Sequence, residues 1–118
     1  MPKYATFFTF KCETLASMID RPSDRIAAAN KVANAVGARV EAYYWMTGPN
    51  DGFIIVDAPD MSAVVAASLA VAGSGEFAHL ETYELFPAGE FNALLGKARL
   101  ARDAYRQAAD EARTVLIR

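Results

Sequence analysis

The chain has 118 residues, with twelve basic and fourteen acidic side chains and a formal net charge of −2, so it lacks the broad positive field that attracts a phosphate backbone, and no nucleic-acid partner is expected. An apolar fraction of 53% against 22% charged residues excludes a disordered chain, because there is ample surface to bury against the entropy of ordering. The length suits one hydrophobic core. Cys12 is the only cysteine, which excludes an intrachain disulfide and a cysteine-rich zinc site and suits a reducing compartment, so a cytoplasmic location is expected.

Met1-Pro2-Lys3-Tyr4 runs into an aromatic stretch without the pattern of a signal peptide. Lys3 to Phe10, rich in Tyr, Phe and Thr, predicts a strand apolar on both faces and therefore central. Leu15, Met18 and Ile19 predict a helical turn, Pro22-Ser23-Asp24 interrupts it, and Ile26, Ala29, Val32, Ala33 and Val36 recur at helical spacing up to a left-handed cap at Gly37. Arg39 to Thr47 predicts a second strand, and Gly48-Pro49-Asn50-Asp51-Gly52 a hairpin in which Asn50 tolerates positive φ.

Phe53 to Ala58 predicts the third strand. Pro59 stops it and Asp60 caps a helix that buries Met61, Val64, Val65, Leu69 and Ala72, with Gly73 and Gly75 at its end. Asp57 and Asp60 thus read as a strand end and a helix cap rather than as a carboxylate pair. The run Ala63 to Ala72 is far shorter than the roughly 20 residues of a bilayer crossing, so no membrane association is expected. Phe77 to Phe86 predicts the fourth strand. After Pro87-Ala88-Gly89 a last helix carries Phe91, Leu94, Leu95, Ala98, Ala101, Tyr105, Ala108 and Ala112 in register, a stripe that continues to Val115 and Leu116. The order βαββαβ plus a C-terminal helix is that of a ferredoxin-like α+β fold with a four-stranded antiparallel sheet.

Met1-Pro2-Lys3-Tyr4, GARVEAYY at 37–44, Gly48-Pro49-Asn50-Asp51, Asp57-Ala58-Pro59-Asp60 and Leu85-Phe86-Pro87, taken in this order, resemble the GYD domain family. The resemblance covers about residues 1–95, leaving 96–118 as a helical extension packed on the domain or on a neighbouring subunit. It implies a dimeric α/β barrel, in which two sheets pack face to face, and it implies little chemistry. Gly48 and Asp51 of the signature are present, but Asn50 stands where the family tyrosine is expected.

Strict alternation along the second strand puts Val40, Ala42, Tyr44 and Met46 on one face and Glu41, Tyr43, Trp45 and Thr47 on the other. If the first face meets the helices, Tyr43 and Trp45 line the space between two sheets, as ligand-binding residues together with Tyr83 or as a dimer interface. His79 and Glu81, alternating on the fourth strand, are the catalytic candidates, a base and its orienting partner. Their separation of roughly 6.5–7 Å along a strand requires favourable rotamers, and the competing reading is an exposed edge-strand histidine.

No metal is expected, because one His and one Cys far apart leave only carboxylates, and no cofactor is expected. No Gly-x-Ser-x-Gly elbow is present, and Gly73-Ser74-Gly75 follows a helix, whereas a phosphate loop precedes one. Three functions remain open: a homodimeric or higher-order protein that binds a small apolar ligand, a cofactor-independent isomerase, cyclase or monooxygenase-like enzyme, and a structural protein whose sheet face is filled by its partner subunit.

Overall fold

A computed structural model describes the backbone of residues 1–117 and the side chains of residues 1–113. The chain runs β1 (Lys3–Phe10), α1 (Cys12–Asp20), α2 (Arg25–Ala35), β2 (Arg39–Trp45), β3 (Gly52–Asp57), α3 (Met61–Ala72), β4 (Phe77–Leu85), a 3-10 turn (Ala88–Glu90) and α4 (Phe91–Ile117). The strands form one antiparallel sheet in the order β2-β3-β1-β4, which is the ferredoxin-like arrangement, and β1 is central as its two-sided apolar pattern predicts. The side chains of Val115 and Leu116 lie outside the described residues. No helix among the described residues is long and apolar enough to cross a membrane.

Two compact units divide at Leu85/Phe86. Helix α4 begins at Phe91 and continues through residues 95 and 96 without a break. The second unit consists of the 3-10 turn and α4.

In the first unit, α2 and α3 cover one face of the sheet. Each is capped by an aspartate: Asp24 Oδ1 accepts from Ala27 N at 2.9 Å, and Asp60 Oδ1 accepts from Ala63 N at 3.0 Å and from Ser62 Oγ at 2.7 Å. These bonds satisfy helix-start donors that have no partner within the helix. Gly37, at φ 75°, turns the chain out of α2. Tyr4, Ala33, Ala38, Val56, Ala58 and Val64 form the buried core between sheet and helices.

The register corrects the expected faces of β2. Val40 pairs with Val56 and Ala42 with Ile55, so Glu41 is an extra residue in a β-bulge. A bulge sets two residues against one and reverses the alternation beyond it. Val40 meets the helices as expected, but from Ala42 onward the faces exchange: Tyr43 and Trp45 turn to the helix side, while Tyr44, opposite Phe53, turns to the outer side.

The hairpin also differs from its expectation. Asn50 does not have positive φ; among the described residues only glycines do, and Gly48, at φ 120°, makes the turn. Asn50 acts through its side chain, whose Oδ1 accepts from Thr9 Oγ1 at 3.0 Å. Asp51 ties the hairpin to the end of β1, since its Oδ2 accepts from Phe10 N at 2.8 Å and its own N–H donates to Phe8 O at 2.8 Å. Gly52 leaves no room for a side chain: a Cβ there would lie 2.6 Å from Tyr44 O and 2.7 Å from Phe8 Cζ.

Candidate functional site

The helix layer does not fill the space above the sheet. The facing positions of α2 and α3 are largely alanines, among them Ala28, Ala29, Ala67 and Ala70, and where methyl groups stand in place of longer side chains a cavity of about 290 Å³ remains. That is near the lower end of the range of ligand pockets, roughly 300–1,000 Å³. Its floor is aromatic and aliphatic, with Phe8, Phe10, Tyr43, Ile54, Phe77 and Leu80. The aromatic rings brace one another: Phe10 stacks on Phe77 with centroids 4.6 Å apart, and Phe8 meets Phe10, Tyr43, Trp45 and Phe77 at 5.4–5.9 Å.

The charge on the wall is one pair. Arg25, the first residue of α2, has a side chain only 19% exposed; its Nη1 lies 2.9 Å from Glu76 Oε2, and its guanidinium sits 5.3 Å above the Phe10 ring, where the negative face of the ring attracts a cation. Its Nε is buried with no hydrogen-bond partner. Glu76 is pinned by its main chain, whose carbonyl accepts from Lys11 N at 3.0 Å and from Thr14 Oγ1 at 2.8 Å. Burial pushes the Tyr43 phenol up to about 12, with the positive charge of Arg25 acting in the opposite direction, so the hydroxyl stays protonated and able to donate at neutral pH.

The outer face of the sheet carries a second constellation. His79 Nε2 lies 2.6 Å from Glu81 Oε1, and Tyr83 Oη donates to Glu81 Oε2 at 2.8 Å. Side-chain reach thus closes the gap that strand spacing leaves, because both neighbours lean toward the middle carboxylate. Hydrogen bonds from Tyr83 and then His79 hold the Glu81 carboxyl below its ordinary value, and Glu81 in turn raises the Tyr83 phenol. From Tyr83 an aromatic band crosses the sheet to Phe7 at 6.0 Å, Phe53 at 5.3 Å and Tyr44 at 5.4 Å.

The sequence-predicted residues therefore fall into two groups. Tyr43 lines the cavity and Trp45 packs beside it against Tyr43 and Phe10, whereas His79, Glu81 and Tyr83 lie together on the opposite face. Tyr43 and Trp45 do not share a face with Tyr83, because the bulge at Glu41 exchanges the faces of β2. Among the described residues no group of three or more His, Cys, Asp or Glu side chains could hold a metal ion. Arg25 and Glu76 are absent from the sequence-based candidates. The signal for Arg25 is its spacing: with Ala29, Val32, Ala33 and Val36 it falls at i, i+4, i+7, i+8 and i+11, on the buried stripe.

Fold and cavity together define a ferredoxin-like α+β domain with a ligand-sized chamber under its helices. The GYD domain matches residues 4–95, and the chain belongs to that family. No curated protein sequence matches it. Among solved structures, MtbAldR superposes with a TM-score of 0.52 at 11% identity, over 73% of this chain and 52% of that one, so this chain spans about half the length of MtbAldR. TTHA0845 from Thermus thermophilus superposes with a TM-score of 0.50 at 17% identity, over 75% of this chain and 96% of that one. An uncharacterized NIPSNAP domain protein from Burkholderia xenovorans has a TM-score of 0.43 at 15% identity, over 75% and 95% of the two chains. For MtbAldR and TTHA0845, at these identities, the likeness is one of fold.

Proposed function

We propose that the protein binds a small, largely apolar molecule in the cavity between α2, α3 and the sheet. The observation that carries this reading is the chamber of about 290 Å³ walled by alanines and aromatic rings, with its charged groups confined to Arg25 and Glu76. Ligand sites combine an apolar lining with a few placed polar groups in this way. The roles expected for the sequence-based candidates divide accordingly: Tyr43 contacts the ligand, Trp45 buttresses it, and Tyr83 belongs to the outer face.

Calorimetric titration with 2-naphthamide, a flat neutral probe, tests this reading against the variant Ala67→Phe, which places a ring in the chamber. Binding by the wild type and none by a folded Ala67→Phe is the expected result. Equal binding by both proteins, or binding of neither 2-naphthamide nor the corresponding acid, 2-naphthoate, by the wild type, overturns it.

The same proposal includes a homodimer closed through the outer sheet faces. It is supported by the aromatic band from Tyr44 to Tyr83, where Tyr44 is 57% and Tyr83 52% exposed, since contiguous exposed apolar patches mark interaction surfaces and a two-fold interface pairs a patch with itself. A reducing compartment such as the cytoplasm suits the exposed thiol of Cys12.

A second reading, cofactor-independent acid–base catalysis, draws on the 2.6 Å contact between His79 and Glu81. A carboxylate that orients an imidazole prepares it as a base. In that reading Tyr83 completes the site and Tyr43 and Trp45 take no part.

A further inference from the structure

We infer that the cavity recognises a flat aromatic monocarboxylate, with the carboxylate paired with the Arg25 guanidinium and the ring among Phe8, Phe10 and Phe77. This rests on the reading of the cavity as a ligand site and adds to it the chemical class of the ligand.

The argument begins with the donors of Arg25. A guanidinium offers five N–H groups in a rigid planar fork. Nη1 is engaged by Glu76, and Nε is buried without a partner. Nη2, which shares an edge with Nε, has no hydrogen bond among the described residues either. Nε is covered by protein atoms, so Nη2 is the donor left for a ligand oxygen, and a carboxylate meets it with a charge-assisted hydrogen bond. A ketone or amide oxygen accepts from the same donor, whereas a carboxylate also meets the positive charge.

Glu76 does not cancel that charge. Its carboxylate is 45% exposed and bonds Nη1, so solvent screens it and Nη2 is left to a ligand. Because the Glu76 main chain is held by Lys11 and Thr14, the residue is anchored beside Arg25 on the Nη1 side. Tyr43 lines the same cavity, and its hydroxyl has no hydrogen-bond partner among the described residues.

The rest of the lining sets the body of the ligand. Apart from Arg25 and Glu76 no charged side chain lines the chamber, which disfavours a second ionised group. The stacked pair Phe10 and Phe77 and the alanine faces of the helices leave a space bounded by flat and shallow surfaces, suited to a ring.

The test compares 2-naphthoate with 2-naphthamide, which has nearly the same shape and no charge, by calorimetry. The wild type is expected to prefer the acid by about tenfold or more, the scale of a charge-assisted hydrogen bond. Arg25→Met is expected to lose that preference and still bind the amide. Should Arg25→Met fail to fold, Arg25→Gln removes the charge and keeps a polar side chain, and it is expected to lose the preference. Glu76→Gln is expected to raise affinity for the acid severalfold and leave the amide unchanged, a gain that destabilisation does not produce. Equal affinity for acid and amide in the wild type, or a preference that survives in Arg25→Met or in Arg25→Gln, overturns the inference and leaves the cavity reading standing. Absence of binding by both probes overturns the cavity reading and this inference with it.

Discussion

The two faces of the sheet treat their polar groups in opposite ways. On the outer face the acids and bases satisfy one another: Lys3 Nζ bonds Glu41 at 2.6 Å and Asp57 at 2.8 Å, Arg39 bonds Asp57 at 2.7 Å, and His79, Glu81 and Tyr83 form a closed chain. On the inner face Arg25 keeps a buried donor without a partner, although buried polar groups in native structures are nearly always paired, and the residue lines the chamber. The outer face, with its charges paired and its rings exposed, is suited to a flat apolar surface such as a second copy of itself.

Mutations that separate the faces sharpen this contrast. Phe8 is 4% exposed and packs against four other rings on the inner side, so Phe8→Ala is expected to cost about 3–5 kcal/mol in denaturant melts, the usual loss for a buried ring. Tyr44→Glu on the outer side is expected to leave a folded protein that sediments as a monomer, because a charge cannot be buried unpaired in an apolar interface. Trp45→Glu is expected to remain dimeric, since Trp45 faces the helix side. Dissociation by Trp45→Glu but not by Tyr44→Glu would exchange the roles assigned to the two faces.

Acid provides a second separation, because the titration of Asp57 belongs to the outer face alone. The Arg39 guanidinium and then the Lys3 ammonium hold its carboxyl at about 2, below the ordinary 3.8. The folded state therefore binds this proton less readily than the unfolded chain does. The stabilisation is complete above about pH 4 and is lost as the pH falls through about 2. Asp57→Asn is expected to be less stable than the wild type at neutral pH and to show a flatter decline between those limits. Affinity for a cavity ligand at neutral pH is expected to be unchanged in that variant; a large change would couple the two faces.

The fold is legible in the sequence because its signals are local. The β-branched and aromatic strands, the aspartate at position 60 and the glycine at 37 each act within a few residues. The assignment of β2 faces fails at one residue, since the bulge at Glu41 depends on the register with β3, and a single inserted residue moves every later side chain to the other face. Arg25 escapes a sequence reading because a charged residue at a helix start reads as solvent-facing unless its spacing is counted along the buried stripe. The direct bond between His79 and Glu81 depends on rotamers, and strand spacing alone leaves those open. Asp57 reads as a strand end, and its ion pairs with Lys3 and Arg39 require the pairing of β3 with both neighbours.

The smallest effect is expected at Asn50, which stands where the family tyrosine is expected. Its side chain accepts a hydrogen bond from Thr9 Oγ1, and that hydroxyl also lies 3.1 Å from the Pro49 carbonyl, so removing the amide leaves Thr9 with an acceptor. The turn itself depends on Gly48 for positive φ and on Asp51 for its attachment to β1. Asn50 does not line the cavity. Asn50→Tyr is therefore expected to shift stability by no more than about 0.5 kcal/mol, as for a surface substitution away from such features. It is also expected to leave the affinity for 2-naphthoate within about twofold, the same energy scale expressed as a ratio. Thermal melts and calorimetry on the two proteins side by side measure both. A tenfold change in affinity with an intact fold would extend the ligand site from the inner face around the end of the sheet to the hairpin, and the division of the molecule into a binding face and a pairing face would then fail at that end.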